Sequence, residues 1–193
     1  MSDILLFMTN YYNDQTTDPK EELLSHVDEN DVEIEGIRRE ECHNEGIKPW
    51  HRNSHVYIVN SKGELYITRR SHTKDTSPDL LTVTTAGHIR YQEDPKESAQ
   101  RELMEELCLE ATIHFVKKYK VDYGFEREFI YVYFGKTDNI SQIGNEEVGE
   151  IIPIPLEEVV SGIKNGSFKL APGAQEVIQM LIQENLLRLE MFN

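Results

Sequence analysis

The sequence predicts a single α+β domain with a mixed β-sheet, and three observations support this fold class. The chain has 193 residues, of which 38% are hydrophobic, so one domain can bury a sizeable core. Short β-rich runs and helical patterns alternate along the chain. No internal repeat or linker divides it. We therefore expect one domain over residues 23–193, preceded by a loosely ordered lead-in over residues 1–22.

Two hairpins come first in chain order, followed by further strands and helices. Residues 26–37 predict a β-hairpin, because an apolar start and a polar turn precede the alternation through Val32 and Ile34. Residues 55–70 predict a second hairpin, in which Gly63 supplies the positive φ of a tight turn. The remaining strands are predicted over residues 80–89, 111–123, 127–137 and 147–154, and two C-terminal helices over residues 155–166 and 171–189.

The composition excludes several classes of partner. A net charge of −15 repels a phosphate backbone, so we expect no nucleic-acid polymer and no anionic membrane as a partner. A small phosphate-containing substrate remains compatible, because a divalent cation reverses the local charge. The apolar run in residues 1–13 is too short for a signal peptide or a membrane span. We expect a cytoplasmic monomer or homodimer, in which Cys42 and Cys108 are reduced thiols.

An acidic helix follows the run at residues 80–89. Asp94 and Pro95 form a strong helix start, with the aspartate as N-cap and the proline at the first helical position. Three glutamates at helical spacing then share one face of the helix: Glu102, Glu105 and Glu106. A solvated acidic face is one interpretation of this pattern. However, like charges at this spacing repel, and hard cations such as Mg²⁺ prefer carboxylate oxygen, so the pattern also predicts a metal site.

The same segment resembles the Nudix box. That motif consists of Gly, five residues, Glu, seven residues, and then Arg-Glu-aliphatic-any-Glu-Glu-any-Gly-aliphatic. The chain has the required residue at Gly87, Glu93, Arg101, Glu102, Leu103, Glu105, Glu106 and Leu109. Cys108 replaces the final Gly, which affects the turn after the helix and removes no ligand. The resemblance implies a Nudix α/β/α sandwich, with a central mixed sheet and a loop–helix–loop catalytic box.

The resemblance to the Nudix hydrolases also implies a reaction. It implies cleavage of the phosphoanhydride bond of a diphosphate linked to another moiety, with Mg²⁺ or Mn²⁺ as the cofactor. In these terms Glu102, Glu105 and Glu106 would bind the metal, and one carboxylate would act as the general base. Glu93 would support them or supply a further ligand. Arg101 would orient a glutamate through an ion pair.

A second resemblance covers roughly residues 26–135 and concerns the isopentenyl-diphosphate isomerase branch of the superfamily. In the isomerase, histidines and a Glu-x-Glu motif hold a metal. The matching residues here are His51, His88, Glu126 and Glu128, whereas His43 lies one residue from its match and needs an insertion. The resemblance implies a second site, suited to Zn²⁺, Mn²⁺ or Mg²⁺. Structural or surface histidines are the alternative interpretation.

Four positions bear on the substrate and the reaction. Arg70 and Lys74 align with residues that bind the diphosphate in the isomerase, so we expect them to contact substrate. Ala86 stands where the isomerase has its catalytic Cys, and Leu81 stands where it has a bulky aromatic residue. Because alanine neither donates nor accepts a proton, this departure favours a hydrolase over an isomerase.

The sequence therefore favours a metal-dependent Nudix hydrolase, with two alternatives left open. One is isopentenyl-diphosphate isomerase, and the other is a non-catalytic module that binds a nucleotide or metabolite. The complete set of glutamates argues against the module. The substrate stays open, because the loops that select it lie outside the box. Trp50, Tyr123 and Phe125 are candidates for stacking on a base or prenyl chain, although aromatic residues more often pack in a core.

Overall fold

The structure is a computed structural model that describes residue 16 and residues 18–43, 48–140 and 143–192. Most of the expected lead-in, residues 1–15 and 17, lies outside these ranges. The strands are β1 (Leu23–Val27), β2 (Glu33–Arg38), β3 (Trp50–Val59), β4 (Glu64–Arg70), β5 (Leu81–Thr82), β6 (Thr85–His88), β7 (Ile113–Asp122), β8 (Arg127–Lys136) and β9 (Val148–Pro155). The helices are α1 (Arg39–Cys42), α2 (Pro95–Leu107), α3 (Leu156–Asn165) and α4 (Pro172–Gln183), and a 3₁₀ helix spans Leu189–Phe192. None of the described helices has the length and apolar character of a membrane span.

Strand β3 is the centre of the sheet. Along one edge it runs parallel to β8, in register from Trp50↔Arg127 to Val59↔Lys136. Strand β7 extends this side by pairing antiparallel with β8. Along the other edge, β3 pairs antiparallel with β1, β6 and β4 in succession. Strand β4 then pairs with β5 and β9. Parallel and antiparallel pairs together make the mixed sheet that the sequence predicts.

Side chains of β3 alternate between two hydrophobic cores, because successive residues of a strand point to opposite faces. Tyr57 and Val59 pack in a core with residues of α3 and α4. Val56 and Ile58 pack in a second core with residues of α2. The sheet therefore lies between α2 on one face and the α3–α4 pair on the other. This arrangement confirms the predicted α/β/α sandwich.

A fork between β3 and β4 shapes the sheet beside the site. Both predicted hairpins form, but the ladder between β3 and β4 is short, at Val59↔Leu65, before the strands diverge. The buried hydroxyl of Thr84 lies in the fork, where it accepts a hydrogen bond from Ile58 N at 2.9 Å and donates one to Tyr66 O at 2.7 Å. The run that the sequence predicts as one strand is therefore divided, with β5 on β4 and β6 on β3.

Helix α2 begins at Pro95, as predicted, and ends just before Cys108, which stands where the Nudix box has its final glycine. The Asp94 carboxylate accepts hydrogen bonds from Lys96 N at 2.8 Å and Glu97 N at 3.3 Å, which satisfies two donors that the helix itself leaves free. Cys108 follows the helix in the left-handed conformation, with φ at 48°. Glycine is the favoured residue there, because it has no Cβ to clash with the backbone.

Helix α4 is shorter than the sequence predicts. The apolar pattern predicts a helix through Leu189, whereas the helix ends at Gln183 and Asn185 takes a left-handed φ of 56°. The chain beyond it turns back onto the sheet, and Phe192 stacks on Phe134 with ring centroids 4.3 Å apart. The apolar residues after Gln183 therefore reflect core packing by an irregular segment.

We expect Cys108→Gly to stabilise the protein by about 0.5–1 kcal/mol. Relief of the left-handed backbone is worth about 1–2 kcal/mol, and the greater freedom of glycine in the unfolded chain offsets about 0.4–1 kcal/mol of it. Urea unfolding measures the difference. The matched control is Cys108→Ala, which removes the exposed thiol and keeps the backbone strain. A glycine variant no more stable than the alanine variant would contradict the strain argument.

Candidate active site

A cavity of about 120 Å³ opens between helix α2, the paired strands β3 and β6, and the start of α4. The loop between β4 and β5 and the residue before β9 complete its walls. The lining includes five basic residues, which are Arg39, Arg70, Lys74, Arg90 and Arg101. It has eight carboxylates, which are those of Asp18, Glu22, Glu102, Glu105, Glu106, Glu126, Glu128 and Glu147. A cavity with this lining suits a cation-bound small molecule rather than an apolar one.

Three glutamates of α2 face this cavity, as their helical spacing predicts. Glu102 and Glu106 are buried, with 8% and 7% exposure, whereas Glu105 is exposed. Gly87 of β6 lies against Glu102, and a Cβ atom at this position would collide with the Glu102 carboxyl group. The glycine of the box is therefore required by the close approach of β6 to α2.

Arg101 links the carboxylates of this helix. It donates to both oxygens of Glu93, at 2.8 and 3.0 Å. Its Nη1 donates to Glu102 Oε1 at 2.6 Å and to Glu105 Oε2 at 3.0 Å. Glu93 is not among the described residues that line the cavity. This geometry favours a supporting role for Glu93 and an orienting role for Arg101.

Glu147 joins the three glutamates of α2 in the cavity, although no sequence motif points to it. It lies just before β9 and lines the same cavity as the α2 glutamates. Burial, with the nearby charges of Glu147 and Glu105, raises the pKa of Glu102 to about 7. Burial and the charges of Glu102 and Glu147 also raise the pKa of Glu106. Glu147 carries no local signal, because a glutamate ahead of a strand is ordinary in an acidic chain.

Three histidines and two glutamates form a second cluster beside the first. The nearest ring nitrogens of His43, His51 and His88 lie within 4.8 Å of one another. His43 Nε2 is 3.2 Å from Glu126 Oε1. The Nε2 atoms of His51 and His88 are 3.5 and 3.8 Å from Glu128 Oε1. The structure thus brings together the four residues matched to the isomerase and adds His43 to them.

The two basic residues expected to bind substrate differ in their surroundings. Arg70 lines the cavity and donates from Nε and Nη2 to the Thr76 carbonyl oxygen, at 3.0 and 2.8 Å. Lys74 Nζ lies 2.5 Å from Asp18 Oδ1 and 2.5 Å from Glu147 Oε2. Two of its three N–H donors are therefore occupied by carboxylates.

The aromatic candidates lie outside the cavity, whereas Ala86 is part of its wall. Trp50, Tyr123 and Phe125 are not among the lining residues in the described part of the chain. Trp50 packs on Phe129 with ring centroids 5.3 Å apart, and Tyr123 stacks on Phe125 at 5.5 Å. These contacts favour a structural role for the aromatic residues. The methyl group of Ala86 borders the same space as the glutamates.

Both clusters have donor atoms that fit divalent cations. Buried carboxylates of like charge reduce stability unless a cation neutralises them, and their hard oxygen atoms suit Mg²⁺ or Mn²⁺. In the second cluster, His51 Nε2 is buried and makes no hydrogen bond within the described residues. A buried nitrogen of this kind is a suitable ligand atom, and imidazole together with carboxylate suits Zn²⁺, Mn²⁺ or Mg²⁺.

Comparison with known proteins places this site in a family. Residues 49–179, more than half of the chain, match the NUDIX domain family model. The matched region contains all three glutamates of α2 and both clusters except His43. The chain belongs to the Nudix family.

Its relatives include proteins named as hydrolases and as isomerases. The chain is 31% identical over 159 residues to an uncharacterized Nudix hydrolase of Clostridium acetobutylicum. The aligned region covers 76% of this chain and 76% of that protein. It is 33% identical over 138 residues to the isopentenyl-diphosphate Delta-isomerase of Pectobacterium atrosepticum, over 69% of this chain and 76% of that protein. A crystal structure from Deinococcus radiodurans shares the fold, with a TM-score of 0.68 at 23% identity over 82% of this chain and 98% of that one.

We expect Arg101→Lys to destabilise the protein by about 1.5–3 kcal/mol. Lysine keeps the charge, but it cannot donate to Glu93, Glu102 and Glu105 together, so charged hydrogen bonds are lost. Urea unfolding without added metal is the measurement. The control is Arg127→Lys, because Arg127 pairs with Asp122 on the surface, where the change should stay below about 1 kcal/mol. Equal effects of both substitutions would contradict the linking role of Arg101.

Proposed function

We propose that this protein is a metal-dependent Nudix hydrolase that cleaves the phosphoanhydride bond of a diphosphate linked to another moiety. One observation carries the proposal: the carboxylates of Glu102, Glu105, Glu106 and Glu147 line one cavity, and Arg70 lines it with them. A group of anions with a cation beside it is what a metal-bound diphosphate requires. The protein would act on small molecules in the cytoplasm, as a monomer or homodimer.

Glu102, Glu105 and Glu106 are the residues that would hold Mg²⁺ or Mn²⁺, with Glu93 fixed behind them by Arg101. A bound divalent cation supplies charge neutralisation at the phosphate oxygens and lowers the pKa of a coordinated water. The chain's own residues then do two things. Arg101 keeps the carboxylates of Glu93 and Glu102 oriented, and one carboxylate of the group accepts the proton of the attacking water.

Arg70 and Lys74 would bind oxygens of the diphosphate. Arg70 already lines the cavity, and its guanidinium is fixed in direction by the Thr76 carbonyl oxygen. Lys74 would exchange Asp18 or Glu147 for a phosphate oxygen, which keeps its charge compensated throughout. The exchange would also release a carboxylate next to the α2 glutamates.

The second cluster would hold a further divalent cation, with His51, His88, Glu126 and Glu128 as ligands together with His43. This cluster, and the identity with the Pectobacterium isomerase, favour isopentenyl-diphosphate isomerase as the second candidate function. The residue against it is Ala86. Moving an allylic double bond requires protonation of one carbon and deprotonation of another, and the methyl group of Ala86 performs neither step.

A panel of diphosphates tests the two candidates together. The wild-type protein is incubated with Mg²⁺ or Mn²⁺ and with nucleoside diphosphates, nucleotide sugars or labelled isopentenyl diphosphate. Metal-dependent hydrolysis without formation of dimethylallyl diphosphate is the expected result. Robust isomerisation would put the second candidate first. Binding without turnover of any compound would favour a non-catalytic module.

We expect Glu106→Gln to lower turnover by at least about a hundredfold, because glutamine preserves the shape of a metal ligand and removes its charge. Without metal, the variant should be at least as stable as the wild type, since one of several buried like charges is gone. The stabilisation that Mg²⁺ confers on thermal unfolding should shrink.

Glu105→Gln should behave similarly in turnover, and Glu97→Gln is the matched control. Glu97 lies on the same helix, is exposed, and does not line the cavity. Initial rates on the best substrate of the panel are the measurement. Full activity in both Glu105→Gln and Glu106→Gln would rule out the proposed mechanism.

A further inference from the structure

Asp75 and Arg39 form a buried ion pair directly behind the histidine cluster, and neither belongs to any motif that the sequence suggests. Arg39 donates to both oxygens of Asp75, from Nε at 2.8 Å and from Nη2 at 3.0 Å. Arg39 is 7% exposed and Asp75 is 9% exposed. The pair joins α1 to the loop between β4 and β5, which are 36 residues apart in the chain.

Asp75 also contacts His43, on the ring nitrogen that faces away from the cluster. The Asp75 Oδ2 atom lies 2.9 Å from His43 Nδ1. The other ring nitrogen, Nε2, lies 3.2 Å from Glu126 Oε1 and 3.4 Å from His88 Nε2. A carboxylate hydrogen-bonded to Nδ1 favours the tautomer that has its proton on that nitrogen. This tautomer leaves the Nε2 lone pair for a cation that would take the place of the Glu126 contact.

Arg39 holds the Asp75 carboxylate from the opposite side. Its bidentate contact fixes the plane of that carboxylate, and its Nη1 atom lies 3.2 Å from His88 Nδ1. One guanidinium therefore contacts both the carboxylate behind His43 and a second histidine of the cluster.

We propose that Asp75, held by Arg39, is a positioning residue for a divalent cation at the histidine cluster, and that it acts through His43. The inference rests on the second metal site given under the proposed function. It does not depend on the α2 glutamates, so it can be tested separately from the hydrolase reaction. Asp75 contacts the ligand and not the metal, in the way that outer carboxylates tune histidine ligands.

The test is a Co²⁺ titration of the full chain, followed by visible absorption and by the imidazole N–H proton signals that a histidine-bound paramagnetic ion shifts. Asp75→Asn should weaken Co²⁺ binding about ten- to hundredfold. His43→Ala should weaken it at least as much. In the His43→Ala background, Asp75→Asn should change the affinity less than about twofold, because its effect passes through the missing ring.

Asp31→Asn is the matched control. Asp31 is likewise buried and accepts hydrogen bonds from Arg52, Lys118 and Tyr131, away from both clusters. The Asp31→Asn variant should be less stable than the wild type in urea unfolding, and it should bind Co²⁺ with the wild-type affinity. An Asp75→Asn variant with wild-type affinity would overturn the proposal. So would an equal loss with and without His43, or a wild-type protein that gives no histidine-bound Co²⁺ signal.

Discussion

The cavity beneath α2 holds more negative charge than its own cations can balance, and this imbalance governs the rest of the site. The single guanidinium of Arg101 donates hydrogen bonds to Glu93, Glu102 and Glu105. Glu106 and Glu147 remain, with Arg70 and with Lys74, which is shared with Asp18. Burying such a set costs free energy unless a cation enters or protons bind, because charges of one sign repel strongly away from water. The raised pKa values of Glu102 and Glu106 reflect this repulsion and their burial. In the proposed function, a bound divalent cation would offset this cost.

The fold supplies this cavity through one strand. The second half of β3 is apolar on both faces, and it anchors the two cores on either side of the sheet. Its first half carries His51 and Asn53, and there it pairs with β6, which brings Gly87 and His88. The fork at Thr84 makes this possible, because it moves the chain from β4 across to β3. The site therefore lies where β3 changes from a polar to an apolar strand.

Much of this architecture could be predicted from the sequence, because it depends on local patterns. The hairpins, the start of α2 and the shared face of its glutamates follow from spacing within a few residues. The division of the run at residues 80–89 and the early end of α4 depend on tertiary contacts that periodicity does not encode. Sequence patterns do not identify Glu147 and Asp75 as residues of the site for the same reason. Each contributes through partners from distant segments, and a lone acidic residue in an acidic chain carries no signal of its own.

Anomalous diffraction from crystals soaked in Mn²⁺ locates a bound ion directly. We expect a manganese peak between the carboxylates of Glu102 and Glu106, at about 2.1 Å from their oxygen atoms if the ion is held as Mg²⁺ would be. The peak should disappear in crystals of the Glu106→Gln variant. A saturating soak that leaves these glutamates without a peak would contradict the claim that their charge exists to bind a cation.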